Sequence, residues 1–156
     1  MGQALSIALT GRDLAWIEYQ QRQQLVWDKL ASQVKPAWRG ARIYVEVGEG
    51  PYVAAETSFI GQGLRRIGLQ AAVPGTWGAF PRLNPEWVLQ HPPGWIVLGQ
   101  TARAAASRPG WEHLSTLQSR RICVLSTAQM DTLVRPGPRL HQGMAAILAC
   151  LADAPT

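Results

Sequence analysis

Three aromatic side chains, Tyr52, Trp77 and Phe80, stand among glycines and prolines rather than inside regular apolar patterns. Pro51 precedes Tyr52, Gly78 follows Trp77 and Pro81 follows Phe80. Aromatic faces carried on loops suit contact with a large flat or apolar ligand. The same rings could tuck back into the core, and spacing alone leaves both roles open. Trp16, Trp27, Trp87, Trp95 and Trp111 fall within patterned elements and are expected in the core.

Catalytic chemistry finds little to work with. Hydrolysis by a side-chain nucleophile needs a base and an orienting group beside it. Ser58, Ser126 and Cys123 lack the turn context of a nucleophile elbow. The 10 carboxylates are dispersed, and no two have the spacing of an acid–base motif. His91, His113 and His141 stand far apart, so no metal site is read from them. Gly48-Glu49-Gly50-Pro51 and Gly61-Gln62-Gly63 are glycine-rich, but Glu49 and Pro51 suit a phosphate cradle badly, and the second pair lies inside a helical pattern. Turn and packing roles are preferred for both. The chain therefore reads as a binding module, not an enzyme, with no catalytic residue, no metal site and no cofactor. Cys123 and Cys150 match no zinc or redox spacing, and buried free thiols are expected, with a disulfide as the alternative.

At 156 residues and 47% hydrophobic, the chain is the size of one domain and can bury a core. No apolar run approaches the roughly 18–20 residues that cross a bilayer. Met1–Ser6 has no basic cluster leading into an apolar stretch, so no signal peptide is expected. The net charge is +5, yet the basic residues are scattered, with Arg65-Arg66 and Arg120-Arg121 the closest pairs. A solvated basic surface is favoured over a nucleic-acid patch, and an anionic ligand fits the charge equally well.

The elements that must position these groups follow from periodicity. Asp13–Lys35 repeats apolar residues at helical spacing (Leu14, Ile17, Leu25, Leu30, Val34) and stops at Pro36. Ala41–Val47 reads as a strand entering a loop at Gly48–Tyr52. Ser58–Leu69 reads as a helix, and Ala71–Pro85 as irregular. Asn84 looks like an N-cap with Pro85 in the first helical position, opening a short helix to Gln90. Trp95–Leu98 and Arg121–Leu125 read as buried strands. Ala102–Ala106 is helix or loop, Trp111–Leu117 a short helix, Leu133–Pro138 a loop and Leu140–Leu151 a closing helix. Short apolar strands alternating with helices predict a three-layer α/β lobe with a mostly parallel sheet, preceded by a long helix.

Several of these stretches share a pattern. Gly78–Leu89 followed by Pro92-Pro93-Gly94-Trp95-Ile96-Val97-Leu98 resembles a signature of the class III periplasmic solute-binding proteins, although Gly94 replaces that pattern's usual Asp. Thr57-Ser58-Phe59-Ile60, Trp111–Leu125 and Arg135-Pro136-Gly137-Pro138-Arg139-Leu140 resemble further elements of the family, in the same order. The resemblance runs from Arg42 to the C-terminus, and Asp13–Lys35 resembles the helix joining the two lobes in that family.

The resemblance implies a division into residues 1–40, the inter-lobe connecting helix, and 41–156, a C-terminal ligand-binding lobe, with the N-terminal lobe absent. It implies the substrate-binding component of an ABC importer for cobalamin, a ferric siderophore or haem, periplasmic in the full-length protein. Phe80 matches an aromatic that packs on the ligand, and Tyr52 is a second candidate wall, with Trp77 beside them. Asp131 and Arg135, in the loop before the last helix, match polar ligand contacts. Glu86 matches the glutamate that docks on arginines of the membrane permease, while Arg139 is expected to tether its loop. An exposed inter-lobe face suggests a homodimer. The alternative is a stand-alone cytoplasmic α/β domain that binds an anionic ligand or nucleic acid.

Overall fold

The computed structural model describes residues 11–48, 52–100 and 107–154. The stretches Met1–Ser6 and Ala102–Ala106, and the middle of the Gly48–Tyr52 loop, lie outside the described residues. A long helix α1 (Gly11–Gln33) leads through a 3-10 turn at Pro36–Trp38 into strand β1 (Arg42–Val47). Next come β2 (Tyr52–Val53), helix α2 (Phe59–Arg66), β3 (Gln70–Ala71), helix α3 (Pro85–Gln90) and β4 (Trp95–Gly99). After a 3-10 turn at Trp111–His113 the chain forms α4 (Ser115–Gln118), β5 (Ile122–Leu125), α5 (Thr127–Val134) and α6 (Leu140–Asp153). No helix among the described residues is long and apolar enough to cross a membrane.

The sheet order is β2-β1-β4-β5, with β3 also paired to β1. β1, β3, β4 and β5 run parallel, and only β2 is antiparallel to its neighbour. Ile43 pairs with Trp95 of β4 on one side and Ala71 of β3 on the other. β3 thus covers the start of that edge, and β2 covers its end, where Val47 meets Tyr52.

Strand alternation sorts the core into two layers. Ile43, Val45, Trp95, Val97 and Cys123 face α1, α2 and α6, against Trp27, Leu30, Ile60, Leu64, Met144 and Ile147. Tyr44, Ile96 and Leu98 face the other way, against Val88 of α3 and Trp111. Each large apolar side chain buried here contributes about 2 kcal/mol. The result is the expected α/β lobe, with helices on both faces of a mostly parallel sheet.

Side-chain caps set the helix starts. Ser58 Oγ accepts from the Gly61 N–H and donates to the Ala55 carbonyl, fixing the entry to α2. Asn84 Oδ1 accepts from the Glu86 N–H at 3.0 Å, with Pro85 in the first turn, as its sequence suggested. Ser126 and Gln129 form a reciprocal capping box that starts α5.

Several expectations are corrected. Residues 127–134 are helical, so Asp131 lies on α5 and Arg135 caps its end instead of both lying in a loop. Tyr52 is in a short strand rather than a loop. The stretch expected to be irregular contains the end of β3 and a 3-10 turn at Gly75–Trp77. Trp16 is exposed rather than in the core, because only the second half of α1 (Trp27, Leu30) packs on the sheet layer. Cys123 and Cys150 are not free thiols but a disulfide that ties β5 to α6.

Candidate ligand-binding site

The chain leaves β1 for β3 on one side of it and then returns to β4 on the other. The two connections carry α2 on one face of the sheet and α3 on the opposite face. β1 and β4 therefore flank a topological switch point, where connections diverge and leave a crevice outside the carboxyl ends of the strands. A hollow of about 180 Å³ lies there. Gly48 lines it from the end of β1, and Gly99 and Gln100 from the end of β4. Thr127, Met130, Asp131 and Val134 line it from α5. Two glycines leave backbone as the floor, while Met130 and Val134 supply an apolar side and Asp131 a carboxylate.

Asp131 also lines a neighbouring hollow of about 150 Å³ together with Ala128, Thr132, Arg135 and Arg139. The structure thus brings Asp131 and Arg135 to one rim, with a second arginine beside them. Arg139 Nε donates to Gln142 Oε1 at 3.4 Å, so it is held to its own loop and helix start.

Tyr52 sits opposite Val47, at the same end of β1 as Gly48, and its side chain is 46% exposed. The strip Ala79–Arg82 runs antiparallel beside it: Val53 N–H donates to the Pro81 carbonyl, Ala55 N–H to the Ala79 carbonyl, and Tyr52 pairs with Arg82. This places Phe80 one strand outward, where it is half-buried against Phe59 with ring centroids 5.4 Å apart. Glu86 is exposed in the first turn of α3, where the helix dipole favours a carboxylate.

Trp77 lies elsewhere. It is 50% exposed and meets Trp87 edge-on at 5.5 Å, and Trp87 in turn stacks on His91 at 4.5 Å. These rings line a groove with Arg42 and Gln70, at the start of β1 rather than its end. The structure therefore puts Asp131 and Arg135 on one rim, Tyr52 at the carboxyl end of β1 with Phe80 on the strip beside it, and Trp77 in the groove at the start of β1.

One cluster escaped the sequence reading. Glu46 is buried near the end of β1, and Arg108 grips it with two hydrogen bonds of 2.7 and 2.8 Å. The Tyr44 hydroxyl donates to Glu46 Oε2 at 2.8 Å. Burial pushes the Tyr44 phenol well above its ordinary value of 10.0, and the charge of Glu46 pushes it the same way. The hydrogen bonds to Glu46 push the Arg108 guanidinium up as well. The available signal was a lone glutamate in Ile-Tyr-Val-Glu-Val, since a carboxylate inside a buried parallel strand must find a cation. Gly48, Gly99 and Met130 gave no such signal, because only the fold places them together.

Solved structures share this architecture along almost the whole chain. A possible iron-binding (periplasmic solute-binding) protein from Staphylococcus epidermidis superposes with a TM-score of 0.75 at 18% identity, over 96% of this chain and 60% of that one. The fold is that of the periplasmic solute-binding proteins. A periplasmic haem-binding protein from Pseudomonas aeruginosa matches at TM-score 0.65 and 23% identity, over 92% of this chain and 54% of that one. The periplasmic vitamin B12 binding protein BtuF of Vibrio cholerae matches at 0.62 and 22%, over 85% and 50%. The chain thus spans between half and three-fifths of the length of these solute-binding structures. By sequence, no family model and no curated protein matches it. The expectation of a homodimer finds no support among the solute-binding structures.

Proposed function

We propose that this chain is one lobe of the substrate-binding component of an ABC importer, and that its crevice forms one wall of a site for a metal chelate of the haem, cobalamin or ferric-siderophore class. The observation that carries this reading is the hollow at the β1/β4 switch point in a fold shared with periplasmic solute-binding proteins. In this reading the chelate is cargo and the lobe performs no chemistry on it. Tyr52 and Phe80 offer aromatic faces to a flat macrocycle. Asp131 and Arg135 offer a carboxylate and a cation to its polar edge. Trp77, on the far groove, is assigned no contact with the chelate.

A second lobe closes the site. Residues 1–40 serve as the connecting segment and 41–156 as the C-terminal lobe. The open apolar side chains of α1, namely Leu14, Trp16, Ile17 and Leu25, suit packing against that second lobe. Glu86 docks on basic residues of the permease, because its carboxylate is exposed at a helix start and free to steer a cationic partner. The Cys123–Cys150 disulfide supports a periplasmic location, since such bonds persist in oxidising compartments.

Calorimetric titration with haemin, cyanocobalamin and ferrichrome tests the reading. Saturable binding of one of them, weakened at least tenfold by Asp131→Ala with Arg135→Ala, is the expected result. Binding that is indifferent to that double substitution rejects the assignment of the rim.

A further inference from the structure

The crevice lies between the ends of β1 and β4, and two segments distant in sequence approach each other beside it, the end of β1 and the stretch from Ser107 that follows β4. Glu46 is two residues before Gly48, and Arg108 is eight residues after Gln100. Their side chains join these two segments directly, through the fork-to-fork contact of 2.7 and 2.8 Å. The Glu46 side chain is 0% exposed and that of Arg108 17%, so water competes little for either charge.

Arg108 is itself held. Its guanidinium lies 4.9 Å from the Trp111 ring, which is buried and meets Tyr44 edge-on at 5.8 Å. Trp111 Nε1 donates to the Pro85 carbonyl at 3.3 Å, at the start of α3. The cluster therefore ties three things together: the end of β1, the segment after β4, and the first turn of the helix that carries Glu86.

A buried ion pair adds little net stability compared with apolar side chains of similar volume, because desolvation offsets the attraction. What it adds is direction: a bidentate guanidinium–carboxylate contact fixes distance and orientation together, which an apolar contact does not. We propose that Glu46 and Arg108 are the positioning pair of the crevice, holding the β1 end and the β4 return at the separation the ligand requires. This deepens the solute-binding reading and rests on it for the identity of the ligand. Neither residue touches the ligand. Tyr44 completes the carboxylate's shell, and Trp111 extends the constraint to α3.

The test compares the wild-type chain with Arg108→Lys, which keeps the charge but loses the fork, and with the double variant Glu46→Met/Arg108→Met, which replaces the pair with apolar volume. Three readouts are taken: thermal unfolding, hydrogen exchange at the amides of residues 46–48 and 107–111, and titration with haemin, cyanocobalamin and ferrichrome. The double variant is expected to fold cooperatively with its midpoint lowered by only a few degrees, because the buried Tyr44 hydroxyl loses its carboxylate acceptor. Both variants are expected to exchange at least tenfold faster at those amides and to bind the wild type's ligand at least tenfold more weakly. A double variant that folds stably, binds as wild type and exchanges as wild type overturns the proposal, because the pair is then merely structural. If the wild type binds none of the three ligands, the solute-binding reading fails by itself. The exchange data then still decide the positioning role: unchanged exchange rejects it, and faster exchange in both variants upholds it.

Discussion

Cys123 of β5 and Cys150 of α6 are linked by a disulfide with their Cα atoms 5.8 Å apart, closing a loop over a sequence separation of 27. This bond anchors the edge strand, whose Val124 is exposed on the opposite face, to the helix that seals the first core layer. α5 lies within the closed loop, so the crevice helix is held by the same staple. In the chain-entropy account, closing a loop of this length stabilises the fold by about 3–4 kcal/mol. Thermal unfolding with and without dithiothreitol is expected to show the midpoint falling by roughly 10 °C on reduction. The double variant Cys123→Ala/Cys150→Ala is expected to match the reduced protein and to be insensitive to reductant.

Tyr44 makes stability depend on pH at the alkaline end. In the unfolded chain its phenol ionises at its ordinary value of 10.0, while in the folded chain burial and the Glu46 charge hold the proton on far above that. The stabilisation is fully present below pH 10 and declines above it, because the unfolded state releases a proton that the folded state keeps. The slope is up to about 1.4 kcal/mol per pH unit. Urea titrations at pH 8, 10 and 11 are expected to show this decline. Tyr44→Phe removes this contribution, and at pH 8 it costs about 1 kcal/mol for the lost hydrogen bond to Glu46.

Gly61 is required by contact, not by backbone angle. A Cβ at this position in α2 would collide with the Ala55 carbonyl and crowd the Glu56 backbone, whereas a Cβ at Gly11 would meet nothing within 4 Å. Backbone cannot yield as a flexible side chain can, so Gly61→Ala is expected to lower unfolding free energy by about 2–3 kcal/mol. Gly11→Ala is expected to change it by less than about 0.5 kcal/mol. Chemical denaturation of the two variants side by side gives the comparison.

Tyr52 and Phe80 are expected to separate binding from stability. Tyr52 is exposed, so Tyr52→Ala is expected to leave stability within about 0.5 kcal/mol of wild type while weakening chelate binding about tenfold, near 1.4 kcal/mol. Phe80 is half-buried on Phe59, so Phe80→Ala is expected to lose about 2 kcal/mol of stability as well. Denaturation and titration of the same two preparations resolve the pattern. Equal stability losses in both variants would contradict the placement of Tyr52.

Much of the fold was legible in the sequence because periodicity and punctuation agreed. Pro36 ends the long helix, Asn84-Pro85 opens a capped one, and the apolar run at Trp95–Leu98 is a buried parallel strand, while Ile122–Leu125 is a parallel edge strand with Val124 exposed. α5 was missed although Ser126-x-x-Gln129 is a capping-box spacing, because Pro136 and Pro138 just beyond it drew the whole stretch into a loop. The short strands β2 and β3 were missed because two residues cannot show a period of two, and both exist only by pairing with β1. Trp16 was misplaced because helical spacing marks an apolar face without saying how far along the helix the partner extends.

The site was legible in part. Asp131 and Arg135 share a rim, and Tyr52 stands at the carboxyl end of β1. Trp77 looked equivalent to Tyr52 in sequence, since both sit beside glycine and proline. The return strip Ala79–Arg82 fixes which end of the sheet each faces, and that pairing is long-range. The Cys123–Cys150 bond was unreadable for the same reason: neither spacing nor composition brings β5 and α6 into contact.

A ligand seated in the crevice at the β1/β4 switch point must shield the amides at the strand ends. Hydrogen exchange of the chain with and without saturating amounts of its tightest ligand among haemin, cyanocobalamin and ferrichrome tests it most directly. Slowed exchange is expected at Gly48, Gly99, Gln100 and the amides of α5, with the Trp77–Trp87–His91 groove unchanged. Protection confined to that groove, or spread nowhere near the strand ends, would contradict it.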